Sequence, residues 1–151
     1  MTTAGLQELA DHKELAELLA RQGWWLDEQH FEEVATVFTA DAVVKTQSGQ
    51  SEGLEALAAQ ARRVHSDFAR TQHLTTGVLI EVDGDRATVK ANLVAVFVRD
   101  STTSEPTAIL GELYRFEAVR TPAGWRFSSL EVTPVWRSGD ISRQLAAGRT
   151  N

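Results

Sequence analysis

Residues 71–99, TQHLTTGVLIEVDGDRATVKANLVAVFVR, decide the fold. Their apolar and polar side chains alternate with a period near two, the repeat of a strand whose successive residues face opposite sides. Asp83-Gly84-Asp85 interrupts the alternation with the residues a tight reversal needs, so 71–82 and 87–99 read as a hairpin. In the second arm Ala87, Val89, Ala91, Leu93, Ala95 and Phe97 point one way, and Val94, Val96 and Val98 make the other side partly apolar. An arm with two apolar sides must be covered on both. The pattern predicts helices on the inner face and, on the outer one, a further element or the partner of a homo-oligomer.

Downstream, a polar loop at 100–106 leads to two more strands, 107–120 and 124–136, joined at Thr121-Pro-Ala-Gly124. Long sequential strands form an antiparallel meander, and at a dozen residues each their right-handed twist coils the sheet into an open half-barrel with room inside. Upstream the period is helical. Leu9, Leu15, Leu18, Leu19 and Leu26 recur at three and four through 6–27, and Phe31, Val34, Ala35 and Phe38 mark a shorter helix over 29–38. A short β-branched strand at 42–46, a turn at 47–51 and a third helix over 52–68 follow, with Ser51 and Glu55 placed as a near capping pair. Residues 138–151 read as a polar, flexible tail. The expected fold class is α+β, helices packed on a strongly curved, mainly antiparallel sheet that encloses a pocket.

The chain has 151 residues, enough for one domain over 1–151 and too few for two. Hydrophobic residues make up 42% and charged residues 24%, the balance of a folded globular chain. A net charge of -6 disfavours nucleic acid as a partner, because phosphate contacts need concentrated positive charge. Cysteine is absent, which removes thiolate nucleophiles, disulfides and sulfur-bound metal. Neither a secretory leader nor an apolar run of spanning length is visible, so the expected location is cytoplasmic, with no membrane partner. No glycine-rich phosphate loop and no ligand spacing for a metal is present, so neither metal nor cofactor is expected.

The chemistry is expected from His73 and Asp27. Of four histidines only His73 enters a long strand, whereas His12 and His65 lie in polar helical stretches and His30 in a turn. Asp27 closes the first helix among Trp24, Trp25, Leu26 and Phe31, where a carboxylate needs a partner; capping the next helix is the bland alternative. If the two meet, the carboxylate fixes the imidazole tautomer and leaves the second ring nitrogen to take a proton next to a carbonyl. Tyr114 is a candidate carbonyl-binding phenol, and Glu112 shares its strand parity. Trp24, Trp25, Phe38, Phe68, Phe97 and Trp125 are the candidate substrate surface.

The helix ending Trp24-Trp-Leu-Asp27, the segment Phe31-Glu-Glu-Val-Ala-Thr-Val-Phe38 with Thr39-Ala-Asp-Ala42, the Gly53 turn, Arg70-Thr-Gln-His73 and the ending Gly124-Trp-Arg-Phe127 together resemble the SnoaL-like branch of the nuclear-transport-factor-2-like (NTF2-like) superfamily. Within it the chain is similar to the scytalone dehydratase family, cofactor-free enzymes that remove water from a hydroxylated bicyclic ketone. The resemblance implies a cone-shaped fold, His73 as general base and then acid, and Asp27 as its support. Leu26 stands where that family has a substrate-binding tyrosine, and Val96-Phe97-Val98 fills the strand position of its second site histidine. The implied function is a cofactor-independent dehydratase acting on an apolar, ring-containing hydroxy-carbonyl compound, in polyketide or other secondary metabolism. An isomerase or cyclase using the same pair, and a non-catalytic ligand-binding protein or oxygenase small subunit, are the alternatives.

Overall fold

The computed structural model describes residues 1–141. Helix α1 spans Thr3–Asp27 and starts earlier than its apolar repeat, because the Thr2 hydroxyl accepts a hydrogen bond from the Gly5 amide at 3.1 Å. Its buried stripe, Leu15, Leu18, Leu19, Gln22, Trp25 and Leu26, lies against the sheet. The expected helix over 29–38 is a 3-10 helix, Phe31–Thr36, and Phe38 already opens strand β1, Phe38–Thr46. A distant partner overrides the local period there: β1 runs parallel to β6, with Phe38 opposite Phe127.

The expected turn at 47–51 is the tip of a hairpin. Strand β2, Gly49–Glu52, pairs with β1 and places Ser51 opposite Val44. Ser51 is thereby taken from the capping role, and helix α2, Leu54–His65, begins after Gly53, with no side-chain cap. It also ends before Phe68, which is buried in the core.

Strands β3 (Arg70–Asp83), β4 (Arg86–Val98), β5 (Ala108–Thr121) and β6 (Gly124–Gly139) form the expected antiparallel meander. The six-stranded sheet has the order β2-β1-β6-β5-β4-β3. Its curvature has a local cause in β3, where Gly77 adopts φ 59° at a register break between Thr76 and Leu79. A β-carbon there would come within 3.0 Å of the Asn92 amide nitrogen, on top of the strain of a left-handed conformation. Of the residues expected to be a flexible tail, 138 and 139 end β6 and Ile141 is buried, while 142–151 lie outside the described residues. No helix among the described residues is long and apolar enough to cross a membrane.

The core fills the space between the helices and the concave face, with Phe116 and Phe127 stacked at 4.0 Å. At the end of the cone near the Asp83–Arg86 turn a polar lock joins helix and sheet. The Arg120 guanidinium grips both oxygens of buried Asp11 at 2.7 and 2.9 Å, the Trp125 indole N–H donates to Asp11 at 3.1 Å, and Arg120 lies over the Trp125 ring. The Arg120 hydrogen bonds hold the Asp11 carboxyl far below its ordinary value, against the opposing effect of burial. A depressed carboxyl stabilises the fold above the unfolded-state pKa, and the contribution fades as pH falls below the ordinary value of 3.8. Asp11→Asn is expected to cost about 2 kcal/mol at neutral pH, on the scale of lost charge-assisted hydrogen bonds. The variant's deficit should shrink below pH 4; urea titrations at pH 7 and pH 3 measure both.

Candidate active site

Inside the cone the alternation of β4 sets the space. Small Ala91 and Ala95 flank Leu93 on the concave face, and their cross-strand neighbours are Tyr114, and His73 with Leu110, respectively, while Leu93 pairs with Glu112. An alanine beside a large cross-strand partner leaves volume above it. The result is an apolar cavity of about 130 Å³ whose walls include Trp25, Phe38, Phe97 and Leu130, and whose polar groups include His65, His73, Glu112 and Tyr114.

His73 reaches this cavity from β3 with a side chain only 4% exposed. Behind it, at the last residue of α1, the Asp27 carboxylate takes three hydrogen bonds. His73 Nδ1 lies 2.6 Å from Oδ1, the Thr71 hydroxyl donates to the same oxygen at 2.9 Å, and the His73 backbone N–H donates to Oδ2 at 2.9 Å. Asp27 therefore does not cap the following helix. Burial pushes its pKa up, but the His73 ring, the His73 amide and the Thr71 hydroxyl outweigh burial and hold it below the ordinary value. An ionised Asp27 keeps the proton on Nδ1 of His73, so Nε2 is the nitrogen that carries the lone pair when the ring is neutral.

His65 is the residue that sequence reasoning missed. It is buried, and its Nε2 stands 3.4 Å from Nε2 of His73. The carbonyl of Ala61, 2.8 Å from His65 Nδ1, can only accept, so Nδ1 of His65 carries its proton and Nε2 presents a lone pair. Burial, then the charge of His73, pushes His65 down to about 3, and it stays neutral near pH 7. A proton taken up by His73 at Nε2 thus meets a ready acceptor. The signal was present in the sequence: Leu57, Ala61 and His65 recur at intervals of four on the buried stripe of α2, masked by the adjacent Arg62 and Arg63.

Phe97 packs against both imidazoles, with ring centroids 5.7 Å from His65 and 6.0 Å from His73. Trp25 and Phe38 meet edge to face at 5.8 Å on the cavity wall. Tyr114 also lines the cavity, and burial followed by the charge of Glu112 pushes its phenol upward, so it stays protonated and able to donate. Three of the expected substrate residues lie elsewhere. Trp24 is 64% exposed, because neighbouring helical residues point about 100° apart and Trp25 takes the inward direction. Trp125 belongs to the Asp11 lock. Phe68 supports Phe97 from behind at 4.9 Å and does not reach the cavity.

Helices packed on a curved, mostly antiparallel six-stranded sheet define a protein of the nuclear-transport-factor-2-like, or cystatin-like, fold. Residues 7–131 match the SnoaL-like domain, and the chain belongs to that family. Among solved structures, a protein from Kribbella flavida is 26% identical, covers 93% of this chain and 99% of its own, and superposes with a TM-score of 0.81. A putative scytalone dehydratase from Novosphingobium aromaticivorans is 21% identical over 88% of this chain and 89% of its own, with a TM-score of 0.78. A hexachlorocyclohexane dehydrochlorinase is 20% identical over 89% and 91%, with a TM-score of 0.77. No curated protein matches the chain.

Proposed function

We propose that this protein is a cofactor-independent lyase that removes water from a small, mostly apolar, ring-containing β-hydroxy carbonyl compound. The observation that carries the reading is the 2.6 Å contact of Asp27 with Nδ1 of His73 at the wall of an apolar cavity, which leaves Nε2 as the proton acceptor. His73 takes the proton next to the carbonyl, Asp27 orients the ring and balances the imidazolium, and Tyr114 hydrogen-bonds the carbonyl oxygen as it gains charge. A cavity of about 130 Å³ favours a compound of about one ring, since an apolar cavity of about 150 Å³ accepts benzene. Support also comes from two structural relatives whose names, dehydratase and dehydrochlorinase, both denote eliminations. Secondary metabolism, polyketide formation included, in the cytoplasm is the proposed setting.

The experiment is incubation with a panel of one- and two-ring β-hydroxy ketones followed by mass spectrometry. Loss of one water supports the lyase. A product of unchanged mass assigns the same proton abstraction to an isomerase or cyclase, and absence of both products from the whole panel favours a binding protein or oxygenase subunit.

Assembly as a homodimer or homotrimer through the outer sheet face is part of the proposal. Leu74, Leu113 and Trp136 are exposed there, beside the half-buried Val94 and Val96. Sedimentation velocity at micromolar concentration tests it, and a purely monomeric species rejects it.

A further inference from the structure

We infer that Glu112 is the acid that protonates the departing hydroxyl, so that base and acid stand on different strands of the cavity wall. The inference rests on the elimination reading above and adds a second proton-transfer group to it. Glu112 faces the concave side of β5, opposite Leu93 on β4, and lines the same cavity as His73. With β4 between them and Glu112 two residues along from the register of His73, the backbones carrying the two groups are about 12 Å apart. A ring whose acidic C–H faces β3 presents the rest of its edge toward β5. In that pose one imidazole need not both take the proton and swing across to the leaving oxygen.

The surroundings keep Glu112 in the donating form. Among the described residues the titratable groups facing the cavity beside Glu112 are His65 on α2, His73 on β3 and Tyr114 on β5, with Asp27 of α1 behind His73. His65 and Tyr114 stay neutral, so among these groups His73 alone can offer positive charge. Burial pushes the Glu112 carboxyl up to about 7, so about half of it is protonated at neutral pH, against almost none of an ordinary carboxyl. When His73 takes a proton, its new charge favours ionisation of Glu112, and arrival of one proton promotes release of the other.

In the reaction the α C–H bond breaks, its proton goes to Nε2 of His73, and its electron pair enters the enolate. As the enolate collapses, the C–C double bond forms and the C–O bond breaks with its pair on the hydroxyl oxygen. The Glu112 proton completes the water. Afterwards the imidazolium proton returns to the Glu112 carboxylate through solvent, and both groups are restored.

The test uses 3-hydroxycyclohexanone in D₂O, followed by NMR, with two readouts: deuterium entering the α position of recovered ketone, and formation of 2-cyclohexenone. Glu112→Gln is expected to retain α exchange while enone formation falls about 10²-fold or more, the scale of one general acid. His73→Ala is expected to lose both. Enone formation by Glu112→Gln at the wild-type rate overturns the assignment of Glu112 and leaves the base intact. Wild-type protein that neither exchanges nor eliminates with this ketone or with any member of the panel argues against the elimination reading, and Glu112 is then judged by carbon-13 NMR of the glutamate carboxyls. A Glu112 midpoint near 7 supports a protonated cavity acid, whereas a midpoint in the ordinary carboxylate range overturns it.

Discussion

His73→Ala is expected to lower the rate of water loss from a β-hydroxy ketone by 10²–10⁴-fold, the contribution of one well-placed general base. The size follows from what the ring does and from the weakness of the other imidazole at the cavity. His65 is the other imidazole at the cavity, yet its lone pair is buried against His73 and its pKa is pushed down to about 3, too weak a base for a carbon acid near pH 7. Glu112 is pushed up to about 7 by burial, and in the proposed mechanism it serves as the acid. The fold should survive the change, because Asp27 keeps the Thr71 hydroxyl and the residue 73 backbone amide as partners. Steady-state rates, with circular dichroism as the control for folding, check the result. A folded variant with an unchanged rate would remove His73 from the mechanism.

Asp27→Asn is expected to lower kcat on the order of 10³-fold, with KM little changed, although the side chain keeps its shape. The reason is a proton count at two contacts. The backbone N–H of residue 73 can only donate, so it claims the amide oxygen of the asparagine at the Oδ2 position. The amide NH₂ then faces Nδ1 of His73, where the carboxylate oxygen had been, and donates to it. That hydrogen bond moves the ring proton to Nε2 and closes the nitrogen that should accept from substrate, the wrong-tautomer effect known from other acid–imidazole pairs. Asp27→Ala, which imposes no tautomer, should be less impaired per bond lost than its size suggests. Nitrogen-15 NMR of the His73 ring distinguishes the tautomers; an Asn variant with its ring proton still on Nδ1 and full activity would refute the account.

How much of this could be read from sequence depends on how local each cause is. Strands β3 to β6 announce themselves because alternation and tight turns are local signals, and they fix the concave side on which His73, Glu112 and Tyr114 meet. The helix end that carries Asp27 is legible for the same reason. The start of β1 is hidden, because Phe38 is a strand residue only through its parallel partner Phe127, about ninety positions away. Strand β2 is hidden too: Gly49, Gln50, Ser51 and Glu52 have no apolar side, and pairing with β1 alone makes them a strand. Among aromatic residues, sequence identifies burial better than address. Phe68 and Trp125 are buried as large rings should be, but one braces the cavity from outside and the other seals the far end of the cone.

The glycine kink in β3 has a second effect, outside the site. β3 is an edge of the sheet, and a straight edge of that length offers its free amides and carbonyls to any passing chain. The register break at Gly77 divides that edge into two shorter runs that a single incoming strand cannot follow in one register. The residue that helps bend the cavity wall thus also shortens the edge that another chain could extend.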